Sequence, residues 1–275
     1  MRFIVLTIMV IFITPVLTSA YDLDEKLSLE ATLTGVYQYY NRPAKSDDPS
    51  RGSGVFDVGM NFHPTETDEF QLTASYTDQD GLNEVSPFSL APYADDLRGD
   101  LKHINGRDRS YLEVAWYKHK FILSQDVALA ITGGIIDSTC YIDDNAFAND
   151  EVTQFMNEIF VNHPHANLPS YDVGGAAEFE ISRFTLRGVE MATKNEAGKH
   201  YHYHALQLGY QADTALGEGN YRIYGFVTGD KFQDGDETGH ERLKGGGISC
   251  DQKLGEIIGV FTRLGWQDDQ AAIDH

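Results

Sequence analysis

The chain of 275 residues is long enough for one large domain or two small ones. Its 41% hydrophobic and 23% charged residues exclude a polytopic helical membrane protein, which needs several apolar runs of roughly 20 residues, and 12% aromatic residues exclude a disordered chain. The net charge of -21 makes nucleic acid a poor partner and is typical of solvated acidic loops.

The first segment, 1–20, predicts a secretory signal peptide. Arg2 supplies the charged start, an apolar run follows over 3–17, and the small residues at 18–20 match a cleavage site. We therefore expect a mature domain over 21–275. A retained membrane anchor is the alternative, but the apolar run is short for a transmembrane helix.

From residue 27 onward, apolar and polar residues alternate with a period of two. This pattern is typical of β-strands with one apolar and one polar face. It predicts about eleven strands of roughly 8 to 14 residues, which fits the 9 to 11 residues of a tilted membrane-spanning strand. The candidate strands are 27–39, 56–62, 70–77, 111–117, 127–135, 173–181, 183–187, 203–210, 221–228, 245–252 and 256–266.

Long and short connections alternate between these strands. The long loops are 41–53, 79–107, 138–170 and 230–244, and the short links are near 63–68, 119–125, 182, 213–218 and 253–255. The connection 193–200 falls between two of these short links. A transmembrane barrel keeps its short turns at one end and its long loops at the other, whereas a soluble sandwich has no reason to do so. The fold predicted is therefore all-β, an antiparallel transmembrane β-barrel.

The end of the chain affects barrel closure. The strand count is odd, and the last strand is followed by a polar segment, 267–275, rather than by an aromatic closing strand. We expect a chain that lacks the C-terminal closing strands. Partner strands and a miscount are the alternatives.

Three stretches resemble the carbohydrate-selective porin (OprB-like) family of bacterial outer membranes. They are 132–156, which contains Thr-Gly-Gly-Ile-Ile-Asp, then 221–226, and finally 247–266, which ends in Arg-Leu-Gly-Trp. The resemblance covers most of 27–266. It implies a sixteen-stranded barrel in the outer membrane of a Gram-negative-type bacterium, through which sugars diffuse passively. Because porins often form trimers, a homotrimer is the expected assembly.

The longest loop, 138–170, is expected to fold into the lumen and narrow it, as the resemblance implies. A short helix is predicted over 150–160, where apolar residues would share one face. The alternative is an ordinary outer surface loop. The candidate constriction residues are Asp143, Asp144, Asn145, Asn149, Gln154 and Phe155.

Polar residues on the other face of each strand are expected to line the pore and contact solute. Charged groups can hydrogen-bond sugar hydroxyls, and aromatic rings can cover the C–H faces of a sugar. The alternative is that these residues only keep the lumen hydrated and cross-linked. The candidates are Glu30, Asp57, Glu113, Tyr117, Glu178, Glu180, Arg187, Arg222, Tyr224 and Arg263.

No metal or cofactor is expected. His200, His202 and His204 alternate along one strand, but the same face continues into apolar Leu206 and Leu208. They therefore fit amphipathic rings above a lipid band better than metal ligands. Cys140 and Cys250 could form one disulfide or stay free.

No catalytic motif is present, and paired carboxylates carry little information among 42 acidic residues. The sequence therefore predicts a porin rather than an enzyme. Its expected partners are a small solute, with a sugar favoured, and outer-membrane lipid. An exported soluble β-sandwich that binds or hydrolyses glycans is the alternative function.

Overall fold

Thirteen strands form one antiparallel sheet. The computed structural model describes residues 10–13, 17–22, 25–39, 50–78, 82, 112–150, 153–155, 158–195, 198–230, 232–233 and 240–268. The strands of the sheet are β1 (Val10–Ile13), β2 (Leu17–Asp22), β3 (Leu27–Tyr39), β4 (Ser50–Phe62), β5 (Asp68–Asp78), β6 (Leu112–Ser124), β7 (Val127–Ile136), β8 (Asp172–Ile181), β9 (Phe184–Lys194), β10 (His200–Thr214), β11 (Gly217–Thr228), β14 (Lys244–Leu254) and β15 (Ile258–Gln267). A separate hairpin joins β12 (Phe232–Gln233) to β13 (His240–Glu241).

From β3 onward each strand of the sheet pairs with the next one along the chain, β14 following β11. This arrangement confirms the predicted all-β antiparallel class. From β3 onward the described sheet has eleven strands, which correspond to the predicted ones, whereas β1, β2, β12 and β13 were not predicted. Among the described residues no pairing joins β15 to the opposite edge of the sheet. The described sheet is compatible with a barrel.

The two N-terminal strands, β1 and β2, both pair with β3. Both lie largely within the segment predicted to be a signal peptide, which stays a prediction. Removal of 1–20 would take away all of β1 and four of the six residues of β2, and would leave most of β3 at the edge of the sheet.

All the long connections lie at one end of the sheet, together with the five-residue link 195–199. Because consecutive strands are antiparallel, alternate connections lie at the same end. One end carries the tight turns at 63–67, 125–126, 182–183, 215–216 and 255–257. The other end carries 40–49, 79–111, 137–171, 195–199 and 229–243. This segregation agrees with the alternation predicted from the sequence.

Large apolar side chains are exposed along one face of the sheet, which we call the apolar face. In β10, Leu206 and Leu208 are 56% and 49% exposed. The register places Leu208 beside Ile223, Ile223 beside Ile248, and Ile248 beside Leu264. One exposed apolar row therefore crosses four strands, and an apolar surface that extensive is unusual on a soluble monomer.

Aromatic rings gather on the apolar face near the short turns. Tyr117 stacks on Phe70 with ring centroids 4.8 Å apart, and Phe70 lies 6.1 Å from Phe62. Farther along the sheet, Phe184 and Tyr210 lie 4.9 Å apart. Rows of amphipathic rings at the border of an apolar band are typical of membrane–water interfaces.

The opposite face, which we call the polar face, carries the long connection between β7 and β8. Within it lie the short helix α1 (Glu158–Val161) and two 3-10 turns, Ser138–Cys140 and Pro164–Ala166. A short helix in this loop is therefore confirmed, but it starts later than predicted. Asp150 instead makes a turn, because its side chain accepts hydrogen bonds from the Thr153 amide and hydroxyl.

The main buried core lies between this loop and the polar face of β9, β10 and β11. Ile142 and Ala166 of the loop are fully buried in it, together with Met191 and Tyr203 of the sheet. The Tyr203 hydroxyl donates a hydrogen bond to the Ala166 carbonyl oxygen, at 3.0 Å. The described loop residues on either side, Ile142 and Ala166, are therefore both packed onto the sheet.

No helix in the described part of the chain is long and apolar enough to cross a membrane.

Candidate functional site

The candidate site is built on the β7–β8 connection, residues 137–171, which we call the anchored loop. Its two ends are tied together. Asp137 accepts hydrogen bonds from the Thr139 amide and from the Ser170 hydroxyl, while the Ser138 hydroxyl donates to the Pro169 carbonyl oxygen. Burial raises the pKa of Asp137 above its ordinary value, and these hydrogen bonds oppose that rise.

Asp143 is the central anchor of the loop. It is fully buried and adopts a left-handed backbone with φ of 58°. Its Oδ1 lies 3.0 Å from Arg263 Nε, its Oδ2 accepts from the His163 amide at 2.7 Å, and its own amide donates to Gln207 Oε1 at 2.8 Å. Both oxygens of this buried carboxylate therefore have a hydrogen-bond partner, as the burial of a charge requires.

Arg263 closes the loop around Asp143. Its guanidinium donates to the carbonyl oxygens of Phe160 at 2.7 Å, Asp143 at 3.1 Å and Ala148 at 2.5 Å. The side chains of Arg263 and Asp143 are 6% and 0% exposed. One arginine on β15 therefore holds both arms of the anchored loop.

The sheet bends toward this anchor. Asp143 reaches Gln207 on β10 and Arg263 on β15, and these strands are three places apart in the sheet. In a flat sheet that is roughly 14 Å, at about 4.8 Å per strand. Contact of both side chains with one residue indicates that the polar face is concave here.

Asp144 binds two further arginines. Its Oδ2 lies 2.7 Å from Arg187 Nη1, and its Oδ1 lies 3.0 Å from Arg222 Nε. Gln207 Nε2 also donates to Oδ1, at 2.9 Å. The adjacent residues Asp143 and Asp144 thus contact four strands of the sheet, β9, β10, β11 and β15, and Gln207 contacts both of them.

The network continues across the polar face in both directions. Arg222 Nη1 lies 2.6 Å from Asp251 Oδ2, and Asn220 donates to Asp251 Oδ1 at 2.6 Å. On the other side, Arg187 Nε lies 3.2 Å from Glu178, which in turn lies 3.5 Å from Lys118 Nζ. Positive and negative groups alternate along this row, so its charges largely cancel.

The remaining candidate constriction residues hold the loop's own shape. Asn145 donates to the Ser249 hydroxyl at 3.3 Å and so ties the loop to β14. Gln154 accepts from the Asn149 amide at 2.5 Å and donates to the Ala146 carbonyl oxygen at 3.0 Å. Phe155 is 37% exposed and lies 5.6 Å from the ring of Phe261 on β15.

The predicted acidic residues of β3, β4 and β6 lie apart from the arginine row. The Ser75 hydroxyl donates to Asp57 Oδ1 at 2.6 Å and also contacts Glu113. Tyr171, at the end of the anchored loop, hydrogen-bonds Glu113 as well. Glu30 is exposed on β3.

Two other candidates differ from the arginine row in exposure. Glu180 makes an exposed ion pair with Lys120, at 3.2 Å. Tyr224 points to the polar face but is only 3% exposed, packed beneath the loop, so it is covered rather than open to a lumen.

The face predicted for Tyr117 is corrected by the structure. A β-bulge shifts the register between β5 and β6 at Thr73 and Ala74. Simple alternation fails across the bulge, so Tyr117 is 40% exposed on the apolar face, where its hydroxyl donates to Asp68 at 2.6 Å. Trp116 instead packs against the buried core beneath the loop.

Gln207 and Asp251 are central to the site, although the sequence reasoning did not select them. Gln207 stands in the period-two pattern of β10 as the polar residue between Leu206 and Leu208, and it is 1% exposed. That pattern could have identified it. Asp251 gives no such signal, because its role depends on the register that brings Asn220 beside it.

His163 is a titratable residue beside the anchor, and its amide donates to Asp143. Its ring covers Gly265, and its Nδ1 accepts from the His165 amide at 3.1 Å. Burial lowers the pKa of His163, Asp143 raises it, and His165 and Arg263 lower it further. The neutral form is therefore favoured in the docked loop.

Within the described ranges, no three His, Cys, Asp or Glu side chains are grouped to hold a metal ion. Both cysteines are free: Cys140 is exposed in the anchored loop, and Cys250 lies on β14. The question of a disulfide is thereby resolved in favour of free thiols.

The fold and the site together define an all-β protein whose antiparallel sheet has an exposed apolar face and a polar face covered by an ion-paired loop. The chain is similar to an uncharacterized protein of Aquifex aeolicus (strain VF5), with 31% identity over 201 residues. That match covers 72% of this chain and 58% of the relative, so the chain spans less than two thirds of the relative's length. No family model and no solved structure matches the chain.

Proposed function

We propose that the chain is an outer-membrane porin through which carbohydrates or other small solutes diffuse passively. The solute path is a polar lumen narrowed by the anchored loop. One observation carries the proposal: the sheet exposes apolar side chains on one face and holds an ion-paired loop against the other. A lipid-facing wall and a narrowed aqueous interior need this arrangement.

The exposed apolar row across β10, β11, β14 and β15 supports insertion in lipid. Barrel closure is part of the proposal, because an open sheet edge in lipid leaves backbone N–H and C=O groups without hydrogen-bond partners. The bacterial outer membrane is the proposed location. The segregation of short turns and long loops also supports a barrel in that membrane.

The charge pattern of the site supports neutral solutes. Three guanidinium groups, of Arg187, Arg222 and Arg263, face three carboxylates, of Asp143, Asp144 and Asp251. Because these charges are paired and largely buried beneath the loop, they attract neither sign of ion strongly. Passage needs weak binding, and a millimolar dissociation constant corresponds to only about -4 kcal/mol.

The test is conductance across a planar lipid bilayer, using the chain refolded in detergent, with neutral sugars added to one side. We expect discrete conductance steps that a neutral sugar reduces more than an anionic sugar acid of similar size. A homotrimer would give steps in groups of three.

Three results together would refute the porin: no conductance steps, no heat-modifiable β-structure, and good solubility in plain buffer. That outcome would favour an exported soluble β-sandwich that binds or hydrolyses glycans, and binding to a glycan array would then be measured.

A further inference from the structure

The C-terminal end of β9 and the N-terminal end of β10 carry a cluster of basic side chains. The proposed solute path does not use this cluster. We call it the basic patch, and it consists of Lys194, Lys199, His200, His202 and His204. The three histidines occupy alternate positions of β10 and are all exposed, while the intervening tyrosines are buried. The patch therefore lies on the apolar face, at the end of the sheet that carries the long loops.

The local structure brings these groups together. The register pairs His200 with Lys194, and the link of 195–199 between the two strands is short. The Asn195 side chain accepts from the Lys199 amide at 2.9 Å, which fixes the link. His202 and His204 have nearly parallel rings with centroids 6.2 Å apart. Two N–H donors on such rings can be shared by one phosphate group through hydrogen bonds of about 2.9 Å.

The surface beneath the patch fixes what kind of partner fits. On the same face of β10, His204 is followed by Leu206, Leu208 and Tyr210, all of them exposed. Basic groups directly above an apolar band match a lipid, with its phosphate at the height of the basic groups and its chains along the apolar residues. In a chain of net charge -21, so local a basic cluster needs an anionic partner to account for it.

We propose that the basic patch docks the phosphate of an anionic lipid headgroup in the outer leaflet. The proposal rests on the proposed function only in requiring that the apolar face lies in lipid. The lipid binds alongside the sheet and stays outside the solute path. Glu190 lies at the border between the patch and the apolar row. Its Oε1 lies 3.6 Å from His202 Nδ1 and so orients that histidine.

Binding is expected to strengthen on acidification, because a protonated imidazole carries a positive charge that attracts a phosphate, whereas a neutral imidazole does not. The charged groups that face the histidines are Glu190 and Lys194 on β9 and Lys199 in the link. On β11 the residue beside His204 is Val227, which has no charge. His240 of β13 lies 2.5 Å from Lys199 Nζ and can accept its hydrogen bond.

The experiment measures the Tm of the refolded full chain in a zwitterionic detergent. The chain is titrated with dihexanoylphosphatidic acid, dihexanoylphosphatidylcholine and inorganic phosphate, at about pH 5.5 and about pH 8. We expect the anionic lipid to raise Tm more than the other two probes, with a larger rise at the lower pH. His202→Gln combined with His204→Gln should weaken that lipid about fivefold, as the loss of two exposed charge contacts implies.

The matched control is His63→Gln, which removes an exposed histidine that lies 4.0 Å from Glu69 at the other end of the sheet. It should leave lipid affinity unchanged. Equal affinity for phosphatidylcholine would overturn the proposal, and equal Tm shifts by inorganic phosphate would replace lipid docking with simple phosphate binding. Lys194→Gln combined with Lys199→Gln is a second test, and unchanged lipid affinity in both double variants would also overturn the assignment.

Conductance separates this proposal from the proposed function. Sugar-blocked steps without preference for anionic lipid would leave the porin standing and refute the basic patch. A preference for anionic lipid without any conductance steps would support the basic patch and count against the porin.

Discussion

Asp143 joins distant parts of the chain through its side chain and its backbone. It combines a buried charge, a left-handed backbone and contacts with strands three places apart. A buried ion pair adds little net stability compared with an apolar pair, but loss of one partner leaves the other charge buried and unmatched. Substitution of either Asp143 or Arg263 should therefore strongly lower the free energy that keeps the anchored loop docked.

Asp143→Asn is expected to lower the free energy of loop opening by about 3 to 5 kcal/mol, because Arg263 loses its buried counter-charge. The measurement is the rate at which a protease cleaves the anchored loop in the refolded protein. Asp213→Asn is the matched control, since Asp213 pairs with Arg183 on the surface, where both side chains are at least half exposed. The exposed pair contributes little, so this control should cleave like the wild type. Equal cleavage of both variants would contradict the anchoring role.

Acidification is expected to loosen the anchored loop through His163. The docked state lowers the pKa of His163, so the unfolded chain, with an ordinary value of about 6.5, binds the proton more readily. The contribution to stability is thus complete above about pH 6.5 and is lost as pH falls through the folded pKa. Protonated Nδ1 also cannot accept from the His165 amide.

The check is loop cleavage at about pH 7.5 and about pH 5. His163→Gln should remove most of the acceleration that acid causes, whereas His63→Gln should retain it. An unchanged pH profile in the His163 variant would assign the effect to other groups.

At the scale of elements, β6 and β7 approach each other closely at Gly134. Its φ is 145°, and a Cβ there would lie 2.2 Å from the Ala115 carbonyl oxygen and 2.7 Å from Trp116 Cα. The obstructing atoms are backbone, so they cannot move without breaking the pairing of the two strands.

Gly134→Ala is expected to destabilise the protein by more than about 1 to 3 kcal/mol, because it adds both a clash and an unfavourable backbone conformation. Its neighbour Gly133 provides a matched control, since a Cβ there meets nothing within 4 Å. Gly133→Ala should be neutral or slightly stabilising. Urea unfolding in detergent measures both, and equal midpoints would show that the strands can separate without cost.

At the scale of the whole molecule, the two faces of the sheet differ in the solvent that they fit. The apolar face exposes leucine, isoleucine and aromatic side chains on every long strand, while charged groups on the polar face are paired with the loop. Transfer of the apolar face from water to lipid is favourable at roughly 25 cal/mol per Å² of apolar surface. A charged substitution on the apolar face should therefore impair membrane insertion, and the effect should be largest near the middle of the bilayer.

Ile223→Arg tests this dependence, because Ile223 lies in the middle of the exposed row and is 52% exposed. An arginine at the centre of a bilayer costs a barrel about 2 to 4 kcal/mol, whereas one near the interface costs about 0 to 1 kcal/mol. Leu216→Arg is the interfacial control, since Leu216 is 60% exposed in the turn between β10 and β11. Folding yields into vesicles should fall for Ile223→Arg and stay near wild type for Leu216→Arg. Equal yields would argue against a lipid-facing wall.

Much of the architecture could be predicted from the sequence, because a strand with two different solvents on its faces must alternate in polarity. The pattern in 27–39 therefore predicted both β3 and its faces. The same rule failed at Tyr117, because β6 itself has an extra residue, Glu113, where it pairs with β5, and the alternating pattern gives no signal for this bulge. The partners of Asp144 could not be predicted either, since they depend on how three strands align beneath the loop.

The contact between Asp143 and Arg263 joins residues 120 positions apart, and this separation has a kinetic consequence. The entropy of bringing distant segments together must be overcome before their contact adds any stability, so contacts of long sequence separation form slowly. The contact between Asp143 and Arg263 cannot form until β15 has been synthesised and paired, although the strands that flank the anchored loop are complete much earlier. During assembly the loop therefore depends on its contacts with earlier strands, such as β9, β10 and β11, until the last described strand of the sheet is in place.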